Sequence, residues 1–306
     1  MVRLVVIIAL WTALAAGARG ARPYVLVLGT AQDAGVPQIG CDSPFCRRAW
    51  SNVKLREMVS SIALIDPDTG ERWIFDATPD LPEQFELIKR TTGDRSNRIE
   101  GIFLTHAHIG HYTGLMYLGR ESMNTSGVRV YAMPRMRDML TQNAPWSQLV
   151  AIRNITLEPL ADQAAVKLNS RISVEPFLVP HRDEFSETVG YRIRTNRQTL
   201  VFIPDIDKWS KWPTPLSDLV RSSDHLLIDA TFYADGEIAR PMSEVPHPFV
   251  VETMELLKGL PAKERAKVHF IHFNHSNPLV QRRHEILREV RRRGFRIARV
   301  GLKLVF

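Results

Sequence analysis

A chain of 306 residues with 44% apolar and 24% charged side chains, and with no long polar tract, can bury a substantial core, which excludes an intrinsically disordered protein and favours one layered α/β domain. The net charge of +7 is concentrated where Arg288, Arg291, Arg292 and Arg293 crowd one stretch of helical spacing. No RNA-binding motif or run of interleaved aromatic residues accompanies that stretch, so it reads as a solvated basic helix face, and nucleic acid is not an expected partner.

At the start of the chain, Arg3 precedes an apolar run over residues 4–14 and the small residues Ala16-Gly17-Ala18. This order is that of a signal peptide over residues 1–20, leaving a domain over 21–306 in a secreted or periplasmic protein. The run is shorter than the roughly 20 residues of a spanning helix, so no stable membrane span is expected after cleavage. Residues 23–28 then read as a strand closing on Gly29, and Gly35-Val36-Pro37 opens a loop that carries Cys41 and Cys46. An exported context permits a disulfide between them, and the pair also supplies two of the four ligands of a structural zinc ion; disulfide, zinc site and unpaired thiols all remain open.

Residues 61–65 and 72–75 flank the turn Asp66-Pro67-Asp68-Thr69-Gly70 and read as a β-hairpin, after which 81–89 places Leu81, Phe85 and Ile88 on one helical face. A strand over 99–104 delivers Thr105-His106-Ala107-His108 to a loop, and 114–118 begins the next helical segment. A strand over 128–132, a helix over 134–142 and a strand over 172–178 follow, the last running into Pro180-His181. The wholly apolar strand 200–203 ends at Pro204-Asp205, 226–228 ends at Asp229, and 268–271 ends at His272. Strand and helix alternate, giving the α/β class, and residues at separate strand ends converge only if the strands deliver them to one sheet edge.

In His106-Ala107-His108-Ile109-Gly110-His111, three imidazoles fall within six residues. Neutral imidazole is a strong ligand for divalent transition metals, so a metal ion accounts for the cluster better than three separate structural roles.

Thr105 to Leu115 resembles the His-x-His-x-Asp-His signature of the metallo-β-lactamase superfamily, and the later His181, Asp205 and His272 match that family's single ligands at strand ends. Leu28-Gly29-Thr30-Ala31, Gly35-Val36-Pro37-Gln38, the cysteine loop and Asn274-His275-Ser276-Asn277-Pro278 are most similar to its PQQ biosynthesis protein B group and the phosphodiesterase relatives of that group. The resemblance implies an αββα sandwich, two mixed sheets with helices on their outer faces. It implies a first metal on His106, His108 and His181, a second on His111 and His272, and Asp205 bridging them, with His275 in reserve. The expected cofactor is Zn2+, one or two ions, with iron or manganese as alternatives. Asp76 corresponds to an aspartate that orients the histidine loop, and Asp229 to an acidic proton-transfer position, so that Asp205 and Asp229 are the expected catalytic carboxylates. Relatives often carry a third cysteine where Ser43 stands. The other departure is Gly110, where the signature has an aspartate. A glycine there is expected to leave room for water or substrate and to weaken the second site, or else to serve a tight loop at positive φ.

The leading function is metal-assisted hydrolysis of a phosphodiester, ester or lactam in a small-molecule substrate. An oxidative non-haem iron enzyme related to PQQ synthesis and a non-catalytic exported carrier are the competing readings. A homodimer is compatible with this sequence.

Overall fold

The computed structural model describes residues 20–239 and 241–306; of the expected signal segment, only Gly20 is among them. In chain order the first strands are β1 (Tyr24–Gly29), β2 (Ser61–Asp66), β3 (Glu71–Phe75), β4 (Gly101–Phe103), β5 (Val128–Ala132) and β6 (Ile155–Pro159). There follow β7 (Val166–Lys167), β8 (Ile172–Leu178), β9 (Val189–Thr195), β10 (Thr199–Ile203), β11 (His225–Asp229), β12 (Val268–Ile271), β13 (Arg296–Ile297) and β14 (Lys303–Val305). They form two seven-stranded sheets, ordered β14-β1-β2-β3-β4-β5-β6 and β13-β12-β11-β10-β9-β8-β7.

Alternation of side chains along each strand explains the layering. Val25 and Val27 of β1 face the second sheet with Ile62, Leu64, Phe75 and Phe103, meeting Val189, Tyr191, Phe202 and Leu227. Leu26 and Leu28 face the other way, into a cluster with Leu81, Phe85 and Ile88 of the helix Leu81–Thr92. In the second sheet Val201, Ile203, Leu226 and Ile228 point outward, against Val250, Met254 and Leu257. Strands buried on both faces need apolar side chains at nearly every position, which is why they read as continuous apolar runs. The result is the expected sandwich, helices outside and two mixed sheets within. Phe103 stacks on Phe75 and Tyr131 at ring separations of 4.9 and 4.2 Å, so truncating it to alanine should cost about 3–5 kcal/mol.

Each sheet begins antiparallel and becomes parallel: β1 to β3 and β7 to β10 alternate in direction, whereas β3 to β6 and β10 to β13 run the same way. The two halves of the chain thus repeat one plan that is not visible by eye in the sequence. Two reversals separate β1 from β3 and β8 from β10, so all four, with β4, β11 and β12, present their C-terminal ends along the sheet edges where the candidate residues gather.

Locally, three segments differ from expectation. Cys46 lies in a helix, Pro44–Ser51, because the Ser43 hydroxyl accepts from Cys46 N at 3.2 Å and Pro44 suits the first turn. The helical segment after the histidine motif starts at Ile109–Tyr112 and continues as a 3-10 turn over Thr113–Leu118, so His111 is helical. The expected strand over 99–104 shortens to Gly101–Phe103. The basic stretch does form a helix, His284–Arg292, that buries Val290 and exposes Arg288, Arg291 and Arg292, with Arg292 and Arg293 paired to Glu289. Among the described residues, no helix is long and apolar enough to cross a membrane.

Candidate metal centre

Beyond the end of β4, His106 Nε2 lies 2.8 Å from His108 Nδ1, and the ligand atoms of His106, His108 and His181 all fall within 4.8 Å of one another. A second group meets the same limit: Asp33, His111 and His272. Asp205, after β10, stands between them. Its Oδ2 is 2.9 Å from His111 Nε2, 3.1 Å from His272 Nε2 and 3.8 Å from His106 Nε2, while Oδ1 is 3.9 Å from His181 Nε2. The six side chains singled out in the sequence are therefore gathered in one place, with Asp205 positioned as a bridge.

Second contacts aim three of the rings. His106 Nδ1 is 2.9 Å from Thr105 Oγ1, His272 Nδ1 is 2.9 Å from Thr231 Oγ1, and His111 Nδ1 is 2.7 Å from Asp76 Oδ2, so each presents Nε2 inward. Asp76 and His272 both have left-handed backbone, at φ of 66° and 67°, which turns the chain sharply as it leaves β3 and β12.

The polar atoms left over test whether this set suits a metal. Asp33 Oδ1, His111 Nε2, both nitrogens of His181, Asp205 Oδ2 and His272 Nε2 are buried without a hydrogen-bond partner. Each such orphan costs about 1–3 kcal/mol, and here they converge. Imidazole nitrogens and carboxylate oxygens facing one another around two small volumes are the donor set of a zinc-type ion, and the residues fit it.

Electrostatics agree. Burial, reinforced by neighbouring histidines, holds His106 well below the ordinary histidine value and His181 down at about 4, leaving neutral rings suited to coordination. Burial also opposes charge on His111, but Asp76, Asp205 and Asp33 outweigh it and hold the ring well above its usual range. Asp205 is pushed up by burial, yet His272 and His111 keep it well below the usual carboxylate range. This pocket demands positive charge at its centre.

Four sequence expectations change. Gly110 is helical and is not a positive-φ position. Nor is there room beside it: a Cβ at 110 would lie 2.5 Å from Asp33 Cα and 3.0 Å from Asp33 Cβ, so Asp33 fills the space that was expected to stay open. His275, the reserve ligand, sits apart from the centre and forms a group with Cys41 and Cys46, ligand atoms within 4.8 Å of one another. Both cysteines there are free thiols, and with His275 they offer three donors, one short of a closed zinc site. Asp229 approaches a histidine that the sequence reading passed over. Its Oδ2 is 2.8 Å from His247 Nδ1, and it accepts from Thr231 N and Oγ1 at 2.8 and 2.7 Å and from Ile206 N at 3.1 Å. Burial lowers His247, but Asp229 and Asp205 raise it net above its usual value.

Two residues were thus missed. Asp33 obeys the same strand-end rule as the others, following β1, and His247 stands between Pro246 and Pro248, where a rigid loop suits a placed side chain.

Asp33, Arg182, Phe232, Glu244 and His247 line a cavity of about 430 Å³ beside the centre. A larger cleft of about 560 Å³, lined by Pro23, Arg171 and Phe306, contains none of the residues gathered at the centre. The chemistry, not the size, identifies the relevant one.

Residues 71–273 match the family model of the beta-lactamase superfamily domain. Coenzyme PQQ synthesis protein B of Methylobacterium sp. (strain 4-46) is 26% identical, the match covering 91% of this chain and 98% of that protein. The crystal structure of Zn(2+)-bound PqqB from Methylobacterium extorquens superposes with a TM-score of 0.78 at 22% identity, covering 92% of this chain and all of that one (100%). A diphosphatase of the PhnP family gives a TM-score of 0.66 at 23% identity, covering 93% and 97%. These likenesses establish the αββα fold.

Proposed function

Because the chain belongs to the beta-lactamase superfamily, we propose that it is a PqqB-like, zinc-dependent hydrolase acting on a phosphodiester, ester or related bond of a small molecule outside the cytoplasm. The observation that carries this reading is the convergence of unpartnered imidazole and carboxylate atoms beside a buried His247–Asp229 pair on the wall of a cavity. A bound ion supplies Lewis acidity and makes water a competent nucleophile near neutral pH.

The protein's own residues do the rest. His106, His108 and His181 would hold one ion and His111 and His272 a second, with Asp205 placed within reach of both groups. Asp76 fixes the His111 ring, and through Thr105 the His106 ring as well. His247, steadied by Asp229, would donate a proton to the leaving oxygen as its bond to the phosphorus or carbonyl carbon breaks, and the proton shed by the attacking water would restore the charged imidazole. Arg182 on the cavity wall offers a cation to an anionic substrate, which favours the phosphodiester among the candidates.

The test joins elemental analysis of the protein, purified without added metal, to a panel of phosphodiesters, esters and lactams that includes bis(p-nitrophenyl) phosphate. Bound zinc with turnover abolished by chelation and restored by Zn2+ is the expected result. Bound metal with no turnover on any member of the panel would overturn the hydrolase reading in favour of a carrier, and redox-active iron in place of zinc would favour oxidative chemistry.

A further inference from the structure

We propose that Asp33, from the loop after β1, is the terminal carboxylate ligand of the second ion, delivered through space to the place left by the glycine at position 110. The inference rests on the metal-dependent reading above and deepens it.

Two independent observations carry it. The first is steric. Any side chain at 110 would meet Asp33, since a Cβ there lies 2.5 Å from Asp33 Cα, a backbone atom that a change of rotamer cannot clear. Glycine at 110 and aspartate at 33 are therefore a matched pair, and a carboxylate reaches this spot from one position or the other, never both. The second is the aim of the side chain. Asp33 Oδ1 is buried without a hydrogen-bond partner, 3.2 Å from His111 Nε2, in a group that His272 completes.

The loop is also fixed in place. Ala31 bridges Phe273 in parallel, with Phe273 N donating to Thr30 O at 2.7 Å and Gln32 N to Phe273 O at 2.9 Å, while the Asn274 amide donates to Gln32 Oε1 at 2.6 Å. Asp33 and His272 are thus presented by two backbone segments bonded directly to each other. Placement that precise is what a ligand needs. In charge, Asp33 adds a second carboxylate to a ligand set in which Asp205, shared between the two groups, would otherwise be the sole anion. The expectation of a weak second site is accordingly replaced by one of two tightly held ions.

Metal-free protein titrated with Zn2+ against a chromophoric chelator, and with Co2+ while its visible d–d bands are followed, decides the matter. The native chain should take up two ions. Asp33→Asn, of the same shape but neutral, should keep the first at native affinity and weaken the second by about 100-fold or more, since even outer contacts to a ligand are worth about 10–100-fold. Gly110→Ala should weaken the second ion too, although alanine removes no donor, because it displaces Asp33. Joined to Asp33→Asn it should add nothing further, as both act through one carboxylate. Two ions held at native affinity by Asp33→Asn, a single ion in the native chain, or loss of both ions from Asp33→Asn would each overturn the proposal while leaving a metal-dependent enzyme. A native chain that binds no metal would overturn the functional reading as well.

Discussion

Asp76 Oδ2 lies 2.7 Å from His111 Nδ1, and neither side chain reaches solvent. The same carboxylate accepts from Thr105 N at 2.8 Å and Thr105 Oγ1 at 2.9 Å, and that hydroxyl sits 2.9 Å from His106 Nδ1. One buried carboxylate therefore orients the rings of both His111 and His106. Asp76→Asn keeps the shape, and asparagine tolerates the left-handed backbone at this position, so the change isolates the charge. Affinity for both ions should fall about 10–100-fold, as for other contacts that aim a ligand imidazole. Chelator competition at each site checks this, and unchanged affinity at both would remove Asp76 from the role.

Replacing His106 and His108 together with alanine should abolish the first site and leave the fold standing. The two rings bring their nitrogens to 2.8 Å and support no part of the apolar clusters between the sheets. Elemental analysis should show one ion fewer, with the thermal midpoint of the metal-free protein little changed. An undiminished metal content would place the first ion elsewhere.

His247→Gln should lower kcat by about 100- to 10,000-fold on substrates with poor alkoxide leaving groups, the range expected for a lost general acid. Metal content should not change. On bis(p-nitrophenyl) phosphate, whose leaving group departs without a proton, the loss should be far smaller. Equal losses on both substrate types would show that His247 positions rather than protonates.

His269, on β12 three residues before His272, should set part of the acid stability. Burial, with Lys267 O 3.2 Å from Nδ1 as the compensating contact, pushes its pKa down to about 4 from an unfolded value of 6.5. The unfolded chain thus binds this proton first as pH falls. Stability from this group is complete above pH 6.5 and is lost between 6.5 and about 4, by at most about 3 kcal/mol. Urea unfolding of metal-free protein at pH 7, 5.5 and 4 should show a shallower decline for His269→Gln than for the native chain. Parallel declines would exclude His269 as a contributor.

For the export step, the mature protein recovered from outside the cytoplasm should begin between residues 18 and 22. Intact-mass measurement checks this, and an exported chain retaining residues 1–17 would count against a cleaved signal.

The readable part of this centre was the part written in contiguous residues. His106, His108 and His111 announce themselves because three imidazoles share one short loop, and His181, Asp205 and His272 because each follows a stretch that reads as a strand and together they match the single ligands of the family the chain resembles. Asp33 also follows such a run, but a single acid in a loop of glycine, alanine and glutamine has no sequence context that marks it. Its partner, Gly110, reads in the sequence as room for water or substrate or as a tight-loop glycine, whereas the space its missing Cβ leaves is taken by Asp33, which only the packing reveals. β9 was passed over because Arg192 and Arg194 interrupt its apolar pattern, and both pair with Glu175 on β8, a compensation that local sequence cannot display. The helix at Pro44–Ser51 was hidden for the opposite reason, since the cysteines drew attention away from an ordinary serine cap.

The pairing of β1 with β14 sets Leu26 opposite Lys303, so the strand nearest the start of the sheet sandwich takes its place between β2 and a strand far along the chain. Leu304 and Phe306 belong to the same inner cluster as Val25 and Val27. A chain emerging amino-terminus first can form the β2–β3 hairpin early, but it cannot seal this layer until residues 303–306 are free. Contacts so distant in sequence make closure of the layer slow. The inner layer, with the candidate metal residues mounted on its edge, therefore takes its final shape only once residues 303–306 have joined it.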